Sequence, residues 1–527
     1  MIYHCEDHTC NYWDEGEKLP ERCPQCGRKL LRANEADMTG DDWTALGNTL
    51  WYAEASDKKR MVDCFRKAAY LGSAWGVCNL GICMEQGNGV EADPVQAFWL
   101  YQQAVEMGSL NAVCCLGVCY QYGIGTAPDA KQAAELYCKA AEYGSPRGQM
   151  LLARAFHDGI GVEADAAEAV HWVRAAAYQR YGEGMHRLGG CYAYGDGVEQ
   201  NWEHAVHWFR EAAESGVSVA MTDLGYCYEK GCGVEQSWEQ AFSWYRRSAE
   251  CGNPVSMSNL GLCYKRGYGV EQNWQEAIKW YEQGAQCGDL QSMHNLACCY
   301  EHGEGVEQNM TEAIRWYTAA AEGGNADDMY ELGWQYDHGE GVEQDMKKAI
   351  CWYERAAEQN HPAAMNSLGE CYAMGRGVPR DLETAMEWYR RAAELGEAMA
   401  DYNMGWHLEQ AGKLSEAYAH YRKAADGNDD SAWWALGRFY ENGVVVAQDG
   451  KEARRCYETG EKLGSVKCKM RLARCKLLGI GGRREKKAGL DLCRQALELA
   501  KESSEKEDYG YEAEMNLLRR TIAENES

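Results

Sequence analysis

A leucine recurs with a spacing of 36 residues along most of this chain. It stands at residues 80, 116, 152, 188, 224, 260, 296, 332 and 368, and Met404 takes the same place in the next copy. Leu46 comes earlier, and Leu436 and Leu472 follow, at similar spacings. A period this strict predicts a solenoid, in which each repeat packs mainly on its neighbours. The 527 residues therefore favour one long array over several unrelated domains.

The sequence of each repeat predicts two short helices. In one copy, the first helix carries apolar side chains at offsets of three and four, on Met257, Leu260, Cys263 and Tyr264. Gly267 can end that helix, because glycine readily adopts the left-handed conformation. Asn273 then provides an N-cap, a side chain that accepts hydrogen bonds from unpaired amides of the second helix. That helix presents small residues around a Trp-Tyr pair, at Ala277, Trp280, Tyr281 and Ala285.

The glycine after the leucine stands inside the first helix, where it should cost about 0.5–1 kcal/mol relative to alanine. It nevertheless returns at Gly81, Gly117, Gly189, Gly225, Gly261, Gly333 and Gly369. We therefore predict that a neighbouring helix approaches closely at this point. Each repeat also leaves apolar faces that only the next repeat can cover, so the repeats must stack.

The recurring pattern A-x-x-x-L-G-x-x-Y-x-x-G-x-G-V, followed by D/N-x-x-x-A-x-x-W-Y-x-x-A-A, resembles Sel1-like repeats, a subfamily of the tetratricopeptide class. The resemblance covers residues 41–480, in about twelve copies. It implies an all-α fold, a right-handed superhelical solenoid of antiparallel helix pairs whose first helices line the concave surface. It also implies a non-enzymatic scaffold or adaptor that binds protein or peptide partners. The alternative is a regulatory sensor subunit that binds a peptide or a small ligand in the groove.

The N-terminal segment differs from everything after it, and we interpret it as a zinc-ribbon-like head. Cys5 and Cys10 are followed by Cys23 and Cys26 in the sequence CPQCG, which resembles a zinc-ribbon knuckle. Four thiolates can bind Zn²⁺ tetrahedrally, and with every ligand supplied by the protein the ion would be structural. His8 is an alternative to Cys10 as a ligand. Such a segment has almost no core, so metal binding would supply most of its folding energy.

We divide the chain into a zinc-ribbon-like head at 1–35, a solenoid at 36–482 and a C-terminal capping helix pair at 483–527. The C-terminal segment carries charged outer residues such as Glu498 and Lys501. Charged residues in this place suit a cap that closes the solenoid to water.

Charge and the N-terminal sequence limit the partners and the compartment. The chain has 54 basic and 81 acidic residues, and this net charge of −27 repels phosphate backbones and anionic membrane surfaces. We therefore do not expect it to bind nucleic acid. The N-terminus has no basic region before an apolar stretch, and no apolar run is long enough for a membrane span. We expect a cytoplasmic protein.

The 25 cysteines favour free thiols over disulfides. Seven of them share one column of the first helix, at Cys83, Cys119, Cys191, Cys227, Cys263, Cys299 and Cys371. Ala155 takes the same place in another copy, and this exchange indicates a small buried site where cysteine behaves as a weak hydrophobe. Some secreted members of the family pair one cysteine per helix. Here the matching columns hold Ala249 and Met257, which counts against disulfides and indicates a reducing compartment.

No sequence motif in the array predicts an enzyme. The segments GYGVEQ and GDGVEQ resemble the start of a dinucleotide fingerprint, but they lack its third glycine and follow a helix where that motif requires a strand. Walker A, HExxH and GxSxG sequences do not occur. An acid recurs at the same loop position, at Glu235, Glu271, Glu307 and Glu343, and indicates a solvated edge. We therefore expect no catalytic residues, and no bound cofactor besides zinc.

The positions two residues before and two after the leucine share one face of the first helix. They vary between repeats, and aromatic side chains at exposed positions are common anchors of binding. We predict that Tyr226, His294, Tyr330, Glu331 and Trp334 form part of a groove for a protein or peptide. The alternative is that these side chains pack between successive first helices and only stabilise the array.

Overall fold

The computed structural model describes residues 2–5, 13–15, 30–33, 35–51, 58–506 and 512–526. The chain divides into two compact units, Met1–Trp280 and Tyr281–Ser527. Within each unit, consecutive short helices pack on each other in pairs. The predicted helical repeat solenoid is therefore confirmed.

A small antiparallel sheet lies at the N-terminus of the first unit. Its strands are β1 (Ile2–Cys5), β2 (Trp13–Glu15) and β3 (Leu30–Ala33), in the spatial order β2-β1-β3. Cys5 pairs with Leu30 in the β1–β3 ladder. Of the predicted zinc ligands, Cys10, Cys23 and Cys26, together with the alternative His8, lie outside the described residues, as does the side chain of Cys5. The zinc ribbon stays a prediction.

The rest of the first unit consists of helix pairs, in which odd numbers mark first helices and even numbers second helices. In chain order they are α1 (Gly40–Leu50), α2 (Lys58–Tyr70), α3 (Ala74–Gln86), α4 (Pro94–Glu106), α5 (Leu110–Tyr122), α6 (Ala130–Glu142), α7 (Pro146–Asp158), α8 (Ala166–Tyr178), α9 (Gly182–Tyr194), α10 (Trp202–Glu214), α11 (Ser218–Lys230), α12 (Trp238–Glu250), α13 (Pro254–Arg266) and α14 (Trp274–Gln286). The boundary of the unit falls within α14.

The second unit continues the same pattern of pairs. Its helices are α15 (Leu290–His302), α16 (Met310–Glu322), α17 (Ala326–His338), α18 (Met346–Glu358), α19 (Pro362–Met374), α20 (Leu382–Glu394), α21 (Ala398–Gln410), α22 (Leu414–Asp426), α23 (Asp430–Asn442), α24 (Gly450–Lys462), α25 (Val466–Leu478), α26 (Lys486–Lys506) and α27 (Glu512–Glu526). The last helix packs on both α25 and α26. Across the described residues, no helix combines the length and the apolar character needed to cross a membrane.

Two glycines set the geometry of the turn between α13 and α14. Gly267 ends α13 with a φ of +73°, the left-handed conformation predicted for this helix end. Gly269 faces the preceding pair, where an added Cβ would lie 2.2 Å from the carbonyl oxygen of Trp238. The first glycine is therefore needed for the turn, and the second for contact between repeats. A predicted polar cap starts many of the second helices, as where Asn201 accepts a hydrogen bond from the amide of His204.

A buried aromatic ring on the second helix explains the glycine of the first helix. A Cβ added at Gly225 would lie 2.6 Å from the ring of Tyr245, and one added at Gly333 would lie 2.5 Å from the ring of Tyr353. Rings at the same repeat position are buried at Phe65, Tyr101, Tyr137, Phe209, Tyr245, Tyr317, Tyr353, Tyr389, Tyr421 and Tyr457. The predicted close approach at this glycine is confirmed, and the ring forms the centre of each of these pairs.

The cysteine column also lies in the core. Its members are buried at Cys83, Cys119, Cys191, Cys227, Cys263, Cys299 and Cys371. The cysteines from Cys64 to Cys493 do not form disulfides within the described part of the chain. Burial raises the pKa of Cys263 to about 12, so its thiol stays protonated and packs as an apolar group. The prediction of a small buried site is confirmed.

Candidate partner-binding site

Polar side chains connect successive first helices within each unit. In the first unit, Nε2 of His186 in α9 lies 2.7 Å from Oδ2 of Asp223 in α11. In the second unit, Nδ1 of His294 in α15 lies 2.7 Å from Oδ1 of Asp328 in α17. The partners are 37 and 34 positions apart in the chain, so these contacts connect one repeat to the next. The predicted binding residues belong to this face of first helices.

His294 lies between a buried carboxylate and a thiol. The side chain of Asp328 is fully buried, and Nε2 of His294 lies 3.5 Å from Sγ of Cys298. Hydrogen bonds to Asp328 and Cys298 raise the pKa of His294 to about 10, although burial acts in the opposite direction. We therefore expect an imidazolium paired with a carboxylate at neutral pH.

One oxygen of Asp328 is left without a partner. Its Oδ2 atom is buried and has no hydrogen-bond partner within the described part of the chain. Buried polar atoms are almost always paired, because an unpaired one carries a desolvation cost of about 1–3 kcal/mol. Ser292 of α15 and Gln335 of α17 also have buried polar atoms without such a partner. The first helices of these repeats therefore contain several buried polar groups, of which Asp328 is the one paired with His294.

Two further carboxyl groups lie near His294. Glu301 accepts a hydrogen bond from the Tyr317 hydroxyl at 2.7 Å. Burial raises the pKa of Glu331, the charge of Glu301 raises it further, and His294 lowers it. This face of α15 and α17 is thus acidic and partly shielded from water. It suits guanidinium or ammonium groups, because charge-assisted hydrogen bonds are stronger than neutral ones.

The two predicted aromatic residues of α17, Tyr330 and Trp334, contact different parts of the structure. Tyr330 stacks on His361 with 5.0 Å between ring centroids, and its ring lies 5.9 Å from that of Tyr353. Trp334 stacks on His338 of its own helix at 4.3 Å and is half-buried. Tyr330 therefore contributes to packing between repeats, whereas Trp334 is the better candidate for contact with a partner.

The predicted residues are divided between the two units. His294 and Glu331 are close enough for their charges to interact, and Tyr330 and Trp334 lie on α17, one helical turn apart. Tyr226 belongs to α11 of the first unit, where its side chain is 46% exposed. That these residues bind a partner stays a prediction.

Asp328 is a residue of this site that the sequence interpretation missed. Its position, four before the leucine, holds small residues elsewhere, at Gly148, Gly184, Ala220, Ser256, Ser292, Ala364 and Ala400. A carboxylate in a column of small residues was the available signal, because such a buried group requires a partner. The structure identifies that partner as His294.

The thiol of Cys298 lies beside a base and an acid, but within a helix. Cys298, His294 and Asp328 stand in the order of nucleophile, base and orienting acid. Acyl transfer also requires hydrogen-bond donors for the oxyanion, which are often backbone amides. Cys298 lies inside α15, where backbone amides already bond to carbonyls of the preceding turn. In the described ranges, no three His, Cys, Asp or Glu side chains are placed to hold a metal ion.

The fold and the repeated sequence define the class of protein, a helical repeat solenoid. The Sel1 repeat model matches twelve segments, at 76–109, 112–145, 146–181, 182–217, 218–253, 254–289, 290–325, 326–361, 362–397, 398–429, 432–465 and 466–501. The chain therefore belongs to the Sel1 repeat family. The last matched repeat, 466–501, includes most of α26.

Solved structures share this architecture. The chain is similar to a protective antigen present in uropathogenic Escherichia coli strains that displays an SLR fold, with 30% identity and a TM-score of 0.58 over 81% of this chain and 90% of that one. It is also similar to a Sel1 repeat protein from Oxalobacter formigenes, with 31% identity and a TM-score of 0.42 over 46% of this chain and 96% of that one. No curated protein sequence matches the chain.

Proposed function

We propose that this chain is a non-enzymatic scaffold that holds a protein partner on the first helices α15 and α17. The family supports this proposal, because repeat solenoids of this kind are typical of protein-interaction scaffolds. The observation that carries it is the half-buried ring of Trp334 on α17, three positions from the partly buried Glu331. We also propose a cytoplasmic location, which suits a column of buried cysteines that form no disulfides within the described residues.

The chemistry of this face indicates the kind of segment it binds. An arginine or lysine of the partner can pair with Glu331 and Glu301 and can also stack on the Trp334 ring. An apolar or aromatic neighbour in the partner segment would cover the rest of that ring. The net charge of −27 attracts such a basic segment from a distance.

We expect Trp334→Ala to reduce partner capture at least about tenfold, because a buried tryptophan anchor often carries much of the binding energy of an interface. The measurement is affinity capture from source cells at natural abundance, with quantitative mass spectrometry. Trp316→Ala is the matched control, since Trp316 is also half-buried but lies on the second helix α16. Circular dichroism should show equal helical content in both variants.

Equal loss of the partner in both tryptophan variants would contradict the proposed face. A chain without residues 1–35 adds a second comparison. A partner recovered with this shortened chain places the binding surface on the solenoid, as we propose. A partner lost with the truncation would make the head the recruiting element.

We further propose that Cys5, Cys10, Cys23 and Cys26 bind structural Zn²⁺ in the head. The register of the sheet supports this, because Cys5 pairs with Leu30. Cys26 precedes Leu30 by four residues in the sequence, so an extended chain would allow at most about 15–20 Å between Cys5 and Cys26. Thiolate ligands of this number and spacing are typical of structural zinc sites.

The purified chain should contain about one equivalent of zinc by elemental mass spectrometry, and Cys23→Ser should remove most of it, because structural sites depend on all four ligands. Cys251→Ser is the control, since Cys251 is an exposed free thiol. The helical content of the solenoid should stay unchanged in both variants. Equal zinc in the Cys23 and Cys251 variants would contradict the assignment of Cys23 as a ligand.

A further inference from the structure

One second helix of the first unit lacks the buried ring found in its neighbours. Helix α8 carries Val173 where α6 carries Tyr137 and α10 carries Phe209. Val173 is only 3% exposed, so the position still belongs to the core. On the facing first helix α7, Ala153 takes the place that Gly117 has in α5. Small side chains therefore face the space that a ring fills elsewhere.

The hydrogen-bond partner of that ring is changed in the same repeat. The Tyr101 hydroxyl donates to Glu85 at 2.6 Å, and the Tyr245 hydroxyl donates to Glu229 at 2.8 Å. The equivalent position in α7 is His157. In this repeat, both the tyrosine ring and the side chain that usually accepts its hydrogen bond are therefore replaced. The change affects the whole buried contact between the two helices.

A cavity of about 430 Å³ lies in this place, among α7, α8 and α9. Ala153, Val170 and Val173 form its apolar wall, and all three are buried. The volume lies within the range of roughly 300–1,000 Å³ that is typical of small-molecule sites. The apolar wall occupies the position of the missing ring, so a ligand ring can take its place.

The remaining walls carry balanced charge. The cavity is lined by three guanidinium groups and three carboxylates, those of Arg147, Arg154, Arg187, Asp158, Glu183 and Asp196. Nε of Arg154 lies 3.3 Å from Asp158, and a terminal nitrogen of Arg187 lies 3.6 Å from Asp196. Each of these contacts uses one of the five N–H donors of a guanidinium. The side chains of Arg154 and Arg187 are also at least half exposed, so a ligand can reach them.

We propose that this cavity binds a free α-amino acid with an aromatic side chain. The ring of the amino acid occupies the space left by Val173 and Ala153. Its carboxylate pairs with the guanidinium groups, which match a carboxylate in a planar, two-pronged geometry. Its ammonium group pairs with the carboxylates of the lining.

A zwitterion fits this lining better than a ligand of one charge, because each of its charges then meets an opposite one. A residue inside a peptide chain has neither a free α-ammonium group nor a free α-carboxylate, and a terminal residue has only one of the two. The free amino acid is therefore the occupant that uses the apolar wall and both sets of charges. This inference concerns the first unit alone and does not depend on the proposed partner site of α15 and α17.

Isothermal titration calorimetry of the full chain with L-phenylalanine tests the proposal. We expect saturable binding, and at least about tenfold weaker binding of L-alanine, which keeps both charges but lacks the ring. We expect 3-phenylpropionate and phenethylamine to bind at least about tenfold more weakly as well, because each lacks one charge. No heat with L-phenylalanine at millimolar concentration would overturn the proposal, and so would equal binding of any of the three analogues.

Two variants test the location. Val173→Tyr restores the usual ring and should abolish binding of L-phenylalanine. Ala297 and Tyr317 occupy the equivalent positions of α15 and α16 and pack in one core cluster, so an alanine opposite a tyrosine is compatible with the fold. Arg187→Gln, at a half-exposed side chain, should weaken binding about tenfold. Undiminished binding by a folded Val173→Tyr chain, or by Arg187→Gln, would overturn the assignment.

Discussion

Replacing Tyr245 with alanine is expected to lower the local free energy of unfolding around α11 and α12 by about 3–5 kcal/mol, the cost of removing a large buried ring. Tyr245 is 1% exposed and packs over Gly225 in the centre of its pair. Its loss leaves a cavity that the neighbouring helices can close only in part. Hydrogen exchange under native conditions measures this free energy repeat by repeat, which suits an array that need not unfold in one step.

Two control variants separate the ring from its hydroxyl. Tyr245→Phe removes only the hydrogen bond to Glu229, at 2.8 Å, and should cost about 1 kcal/mol. Phe209 shows that the position accepts a ring without a hydroxyl. Tyr194→Ala, at a side chain that is 80% exposed, should change stability by no more than about 0.5 kcal/mol. A Tyr245→Ala chain as stable as Tyr245→Phe would show that the ring does not hold the pair together.

Replacing Glu441 with alanine is expected to destabilise the C-terminal repeats by about 3–5 kcal/mol, because it removes the carboxylate that pairs with two largely shielded guanidinium groups. Glu441 is 10% exposed and accepts hydrogen bonds from the Tyr457 hydroxyl, Arg471 and Arg474. Arg471 keeps a second carboxylate, Glu514 of α27, at 2.6 Å. Arg474 has no such second ion pair among the described residues, so its cation accounts for much of the loss. Denaturation by urea, followed by circular dichroism, measures the change.

The double variant Glu441→Ala, Arg474→Ala should recover part of that stability, since it removes the uncompensated cation. Glu250→Ala breaks an exposed pair with Arg246, at 2.9 Å, and should cost less than about 0.5 kcal/mol. A loss of the same size at Glu441 and Glu250 would mean that burial does not strengthen the Glu441 cluster.

The helix pattern could be predicted because each signal acts within a few residues. The apolar offsets around Leu260, the cap at Asn201 and the helix-ending Gly267 each depend on local backbone geometry. The glycine of the first helix also indicated that a neighbouring helix approaches closely at this point. The sequence did not identify the ring of Tyr245 as the group that packs against this glycine. That contact depends on how two helices pack, which is not apparent from a single segment.

The candidate sites depend on contacts between repeats, and the sequence shows them less directly. His294 and Asp328 are 34 residues apart, and their hydrogen bond exists only because α15 and α17 lie side by side. Asp328 could have been found as an exception in a column of small residues. Val173 is a comparable exception in the ring column. Whether its missing ring leaves a cavity depends on how far the neighbours collapse, which requires coordinates.

The most direct test of the account is hydrogen exchange on the complex of this chain with its captured partner. Binding is expected to protect the amides of the first helices α15 and α17, with little change in the second helix α16 between them. Protection confined to second helices, or to the N-terminal head, would contradict the claim that the first helices of the solenoid form the partner-binding face.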